Sequence, residues 1–180
     1  MISGSHTLTA YLNSKTSWFW LFGETSPLRG GQWRLELREQ YVSRLPVPEM
    51  SPEASARIAA LSQACTDAAR QRFEIQSAVR RRILDLAPPD RRKLSAKLED
   101  WCELDFAAFR AEIKRAFREE IPIRERGEWE AYLSENAARV RELSDRIAAA
   151  EREIDQIVYA LFDLTPDEIT LLETSLEGQY

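Results

Sequence analysis

The sequence predicts a mainly α fold, with long antiparallel helices forming a helical hairpin or coiled-coil-like bundle and a small α/β element near the N-terminus. Three observations carry this expectation. Leu133, Val140, Ile147, Ile154 and Leu161 recur every seven residues, and Leu143, Ala150, Ile157 and Leu164 each follow three residues later, the spacing of a heptad seam. Ile58, Leu61, Cys65, Ala68, Ala69, Phe73, Val79 and Ile83 line one side of a second uninterrupted stretch. Proline and glycine number only 8 and 6, and 44% of residues are apolar, enough to build a folded core.

Taken in order, Thr7 to Phe22 places Leu8, Tyr11, Leu12, Trp18, Phe19 and Phe22 near helical spacing, which predicts one amphipathic helix ended by Gly23. Pro27, Gly30 and Gly31 mark a turn. Trp33, Leu35 and Leu37 then alternate with Arg34, Glu36 and Arg38, the pattern of a short half-buried strand. A single strand is unstable alone, and the chain offers it few partners. Tyr41, Val42 and Leu45 lead into Pro46-Val47-Pro48, a rigid exit that closes a first segment, 1–48.

Residues 49–180 read as a helical scaffold. Ser51-Pro52-Glu53 combines a hydroxyl cap, a first-turn proline and a first-turn acid, and starts a helix over about 52–86 that Pro88-Pro89 stops. A basic connector, Arg91-Arg92-Lys93, precedes a helical stretch from Asp105 to Phe117, and Pro122 breaks the chain again. The heptad stretch predicts a helix over about 125–163, antiparallel to the Ser51 helix or lying against a partner. Thr165-Pro166-Asp167-Glu168 is a capping-box pattern that opens a last short helix.

A chain of 180 residues and 20.8 kDa allows one domain, or a small domain with an appendage, and excludes a large multidomain enzyme. The longest apolar run, Ile157 to Phe162, is six residues against the roughly 20 of a membrane span, so no membrane partner is expected. Met1 to Leu8 lacks a basic segment followed by an apolar one, so no secretory signal is expected. Cys65 and Cys102 are too few and too isolated for a disulfide framework or a four-ligand zinc site and fit a reducing, cytoplasmic setting. The net charge of −5 hides an asymmetry: Arg29 to Arg126 holds 20 basic and 16 acidic residues, whereas Gly127 to Tyr180 holds 4 and 13. Any phosphate-facing surface is therefore expected before Gly127.

Several enzyme-like patterns dissolve on inspection. His6 has no cysteine or carboxylate cluster beside it. Asp105 with Glu112-Ile113-Lys114 follows the acid-acid-lysine order of a metal-dependent nuclease, but on a helix Asp105 and Glu112 share a face by spacing alone. Ala87-Pro88-Pro89-Asp90 lacks the amide and the aromatic of a methyltransferase catalytic loop and reads as a helix stop. No glycine-rich phosphate loop occurs. No catalytic or metal-binding residue is expected in this chain.

The constellation at the front is different. Asn13 and Lys15, then Arg29, Gly30, Gly31 and Arg34, then Tyr41 and Arg44, place amides, guanidiniums and an aromatic around a glycine turn. Arginine suits bidentate contact with phosphate or guanine, and glycine lets backbone approach a nucleic-acid strand, though a solvated loop has the same composition. Arg80, Arg81, Arg82, Arg91, Arg92 and Lys93 form a second basic group suited to phosphate, or a solvated helix end partly neutralised by Asp85 and Asp90.

The order of these motifs resembles the target-recognition region of TaqI-like adenine-specific DNA methyltransferases and the fused type IIG restriction-modification enzymes. Asn13-Ser14-Lys15, the arginine-glycine turn and the Tyr41 to Leu45-Pro46-Val47-Pro48 exit carry the first half. Lys93-Leu94, Leu98-Glu99 and Trp101-Cys102-Glu103-Leu104-Asp105-Phe106 resemble a segment that the family usually writes with a double tryptophan, here Trp101 followed by Cys102. Glu128-Trp129-Glu130 and Glu153-Ile154-Asp155 through Thr165 complete it. The family ending commonly reads tyrosine-glycine-leucine-threonine, where this chain has Phe162-Asp163-Leu164-Thr165. The family's catalytic and cofactor motifs precede this region and are not among these residues. The resemblance thus implies a scaffold that positions duplex DNA for a methyltransferase catalytic domain acting in cis or in trans, with S-adenosylmethionine and, for cleavage, Mg²⁺ held there rather than here. The rival expectation is a helical interaction module without DNA binding, whose coiled-coil segment from Leu133 to Leu164 docks to a partner or, as a homo-oligomer, to a second copy, or an acidic DNA-mimicking antagonist.

Overall fold

The computed structural model describes residues 5–25, 27–28, 34–35 and 38–177. The chain is mainly helical. Its elements run α1 (Ser5–Leu12), α2 (Lys15–Glu24), the two-residue strands β1 (Pro27–Leu28) and β2 (Arg34–Leu35), α3 (Glu39–Val42), α4 (Pro52–Leu84), α5 (Ala96–Glu99), α6 (Phe106–Phe117), α7 (Arg126–Leu161) and α8 (Pro166–Leu176). Short 3-10 turns span Pro89–Arg91, Trp101–Glu103 and Ile123–Glu125. The chain divides into two units: Met1–Thr66 with Ala148–Tyr180, and Asp67–Ile147. Both α4 and α7 contribute residues to each. No helix among the described residues is long and apolar enough to cross a membrane.

In the first unit the single helix expected over Thr7 to Phe22 is two helices. Asn13 and Ser14 break it: Asn13 Nδ2 donates to the Thr9 carbonyl at 2.8 Å, while Ser14 Oγ accepts from the Ser17 amide and caps α2. Short polar side chains that bond nearby backbone compete with helix continuation. Gly23 does not end α2, which runs on to Glu24 and is closed by the Thr25 amide on the Leu21 carbonyl. The described part of the expected strand is Arg34–Leu35, paired antiparallel with Pro27–Leu28 in the register Pro27 to Leu35; Trp33, Glu36 and Leu37 lie outside the described residues. Ser51 opens α4, accepting from the Ala54 amide at 3.2 Å. Tyr11, Ala10, Leu21, Leu45, Ile58, Leu61, Ile154 and Val158 form one core, and Tyr159, Leu172 and Leu176 another under α8. Arg57 pairs with Glu153, and Glu151 acts on Cys65, so within this unit α4 and α7 run antiparallel.

Helix α7 ends in a Schellman motif. The Asp163 amide bonds the Ala160 carbonyl at 3.2 Å, the Leu164 amide reaches back to Tyr159 at 3.1 Å, and Asp163 takes a left-handed φ of 52°. That turn delivers Thr165, whose capping box with Glu168 opens α8 as the sequence predicts.

In the second unit α4 stops at Leu84 rather than 86, because the amides of Asp85, Leu86 and Ala87 bond carbonyls three residues back, tightening the last turn ahead of Pro88. The core gathers Val79, Ile83, Leu98, Trp101, Phe109, Ile113, Phe117, Ile121, Trp129, Leu133 and Val140. Phe109 lies between Phe106 and Trp129, with ring centroids 6.4 and 6.0 Å away. Burying each such side chain contributes about 1.5–3 kcal/mol. Arg72 donates to Ser144 Oγ at 3.1 Å, tying α4 to α7 within this unit.

Part of the heptad seam packs inside the chain. Leu133 and Val140 enter the second unit's core, and Ile154, with the partly buried Ala150, Ile157 and Leu161, enters the first unit's.

Candidate nucleic-acid interface

The residues expected to face nucleic acid fall in both units. Among those at the front, Arg29, Gly30 and Gly31 lie outside the described residues, as does the side chain of Arg34. Asn13 is turned onto its own helix, as described above. Lys15 is engaged twice: its amide donates to the buried Asp155 carboxylate at 2.9 Å, and its ammonium lies 2.8 Å from Glu173, which also accepts from Tyr159. Lys15 therefore fastens α2 to α7 and α8, its ammonium shared with Glu173 at a part-exposed position. Burial raises the Asp155 carboxyl above its ordinary value, whereas the Lys15 hydrogen bond lowers that of Glu173. Tyr41 sits half-buried on α3, and Arg44 is exposed just beyond it, with no side-chain partner among the described residues.

The second basic group belongs to the second unit. Between 80 and 93 six cations meet only Asp85 and Asp90. Arg80 Nε donates to the Glu99 carbonyl at 2.8 Å, Arg82 lies 3.4 Å from Asp85 and Arg91 3.5 Å from Asp90. Arg80 is directed by that bond, whereas the Arg82 and Arg91 pairs join surface charges that solvent screens. Arg81, Arg92 and Lys93 are exposed, and their side chains make no hydrogen bond or ion pair among the described residues. Arg81 and Arg82 occupy the last turn of α4, where cations are favoured by the helix dipole.

The acid-acid-lysine pattern is dispersed into three structural roles. Asp105 caps α6, accepting from the Ala108 amide at 2.7 Å. Glu112 is buried and accepts from Ser95 Oγ at 2.5 Å and from two nitrogens of Arg115 at 2.8 and 2.5 Å, pinning α5 to α6. The Arg115 hydrogen bond holds its carboxyl below the ordinary value. Lys114 turns to Glu120 at 2.5 Å. Among the described residues no group of three or more histidines, cysteines or carboxylates is placed to hold a metal ion.

Sequence reasoning overlooked a basic depression of about 250 Å³ beside α6, lined by Ala107, Arg110, Ala111, Lys114, Glu120, Ile121 and Arg126. Its signal was present in the spacing: Arg110 and Lys114 stand four apart, with Ala107 and Ala111 interleaved on the same helical stripe. Arg126, from the start of α7, is remote in sequence and could not be added by any local rule.

Fold and site define a mainly helical, two-unit protein with basic surface concentrated in its second unit. Residues 51–158, more than half of the chain, match the family described as a domain of unknown function, DUF8810, and the chain belongs to that family. No curated protein and no solved structure matches it. The matched span contains the basic run and the depression; the front constellation lies outside it.

Proposed function

We propose that the chain is a DNA-positioning scaffold that presents duplex DNA to an adenine methyltransferase catalytic domain in cis or in trans. The observation that carries this reading is the basic run 80–93, whose Arg81, Arg92 and Lys93 are exposed and unpartnered among the described residues, beside Arg80, Arg82 and Arg91, which have partners. Such groups suit phosphate, by charge-assisted hydrogen bonds that fix register on a duplex without reading sequence. The motif order supports the rest. At the place where the resembled enzymes carry glycine, Asp163 adopts a left-handed backbone, a conformation that glycine favours. S-adenosylmethionine, and Mg²⁺ where cleavage follows, belong to the catalytic partner in this reading. A docking module working through the heptad seam has less to use, since part of that seam packs into the chain's own cores.

The test is a duplex titration at about 50 and 200 mM salt, where three phosphate contacts lose roughly 40-fold in affinity. It is run with and without a separately expressed adenine-methyltransferase domain. Arg81→Ala with Arg92→Ala and Lys93→Ala is expected to weaken binding and flatten the salt slope while the helical signal is unchanged. Duplex binding untouched by the triple change, or none with either partner state, overturns the proposal.

A further inference from the structure

We propose that the depression between Arg110, Lys114 and Arg126 is a binding site for a phosphate group, which the Glu120 carboxylate occupies in the free protein. It lies wholly within the second unit and does not depend on the DNA-positioning reading. Ala107, Arg110, Ala111 and Lys114 share one face of α6, and the two alanines give the depression a low floor between the cations. From the opposite wall comes Arg126, whose Nε donates to the Ile121 carbonyl at 3.0 Å. With its side chain only 26% exposed, that guanidinium is preset before any ligand arrives. Arg110 rests over the Phe106 ring, 5.9 Å from its centroid, and meets no carboxylate within ion-pair distance among the described residues.

Glu120 stands among all three. Its carboxylate is 2.5 Å from Lys114 Nζ and 3.6 Å from Arg126 Nη2, and Arg110 also acts on it. One carboxylate against three cations leaves two positive charges unbalanced. Glu120 is itself 56% exposed, and its hold on the cations is correspondingly weak, since solvent screens ion pairs at such positions. A phosphate group brings more charge and more acceptor oxygens than a carboxylate, and arginine matches it in bidentate geometry. The exchange needs no backbone rearrangement: the Glu120 side chain turns outward and the phosphate oxygens take its place.

Inorganic phosphate titrated into the full chain at low salt, followed by backbone amide shifts, tests this directly. Glu120→Gln is expected to tighten binding about tenfold over the unaltered chain by removing the competing charge. The shifts should centre on 107–126. Lys114→Gln alone is expected to weaken phosphate binding, and Arg110→Gln with Lys114→Gln to abolish the gain from Glu120→Gln. Equal affinities for the unaltered chain and the Glu120→Gln variant, or a gain that survives loss of both cations, overturns the site. A parallel titration with a short DNA duplex separates the sources. Tightening for the duplex assigns the site to backbone phosphodiesters, and tightening for free phosphate alone assigns it to a terminal phosphate. Duplex binding that depends on Arg81, Arg92 and Lys93, with no response of either ligand to Glu120→Gln, overturns this site and leaves the scaffold reading standing.

Discussion

The first unit buries polar groups that the second does largely without. Thr7, Ser14, Ser17, Thr25, Ser62 and Asp155 are buried in the first, while Glu112 is the buried polar residue of the second among those described. The first unit assembles α1, α2 and α3, short helices whose many ends leave backbone groups that serine, threonine and Asp155 must satisfy. The second builds around the aromatics of α6 and α7, with Leu98 and Trp101 from shorter elements packed into the same core. Charge divides the same way, with 7 basic and 13 acidic residues in the first unit and 18 and 17 in the second. Beside its apolar cores the first unit ties its helices through Asp155 and Glu173; the second relies on one larger aromatic core, with the Glu112 cluster at its side.

Breaking the aromatic stack should give the largest effect. Phe109→Ala opens a cavity between Phe106 and Trp129 and is expected to cost about 3–5 kcal/mol. Chemical denaturation followed by tryptophan fluorescence should show it, with amide protection lost first between 67 and 147. Equal loss in both units would erase the contrast between them.

Acidification should act on the units in opposite senses through their buried carboxyls. Glu112 is held below its ordinary 4.5 by Arg115, so its stabilisation is complete above that value and fades as pH falls through the folded value. Asp155 is raised above 3.8 by burial, so its contribution is present below 3.8 and is lost as pH rises through the folded value. Glu173, lowered by Lys15, offsets part of the Asp155 effect. Amide exchange between neutral pH and about pH 4 should therefore show α5 and α6 losing protection before the start of α2. Asp155→Asn should make the first unit more stable at neutral pH, with the gain shrinking in acid. A gain independent of pH would contradict the assignment.

The smallest change sharpens the comparison rather than breaking it. Each unit closes a helix on a left-handed non-glycine residue, Asp163 in the first and Arg118, φ 59°, in the second. Arg118→Gly and Asp163→Gly should each stabilise by about 1 kcal/mol, since the side-chain penalty of that conformation is removed. A thermal melt of each variant checks this.

The long helices were legible because their signals are periodic and local: Ser51-Pro52 at the start of α4, Pro88-Pro89 after it, the heptads of α7 and the box at Thr165 all stand where the sequence puts them. The break at Asn13-Ser14 was not, because a polar pair inside an amphipathic pattern becomes a cap only when its side chains turn back on the helix. The fate of Lys15 was equally hidden, since it depends on Asp155 and Glu173, 140 and 158 residues away. Arg81, Arg92 and Lys93 look the same in sequence as Arg80, Arg82 and Arg91, and only the positions of Glu99, Asp85 and Asp90 tell partnered cations from available ones.

Those long-range bonds also bear on the order in which the protein can form as it is synthesised. The second unit is one continuous stretch, 67 to 147, so its core can close once that stretch has emerged. The first unit takes its residues from both sides of that stretch, and the Lys15 amide meets Asp155 only after 140 further residues have been added. Contacts of such separation form late, because the intervening chain must be ordered or looped before they become favourable. Helices α1 and α2, though made first, therefore wait for α7 and α8, with Tyr11 and Leu21 exposed in the interval. A nascent chain whose residues up to about 150 have left the ribosome, with the rest still held inside it, would carry a finished second unit and an unfinished first.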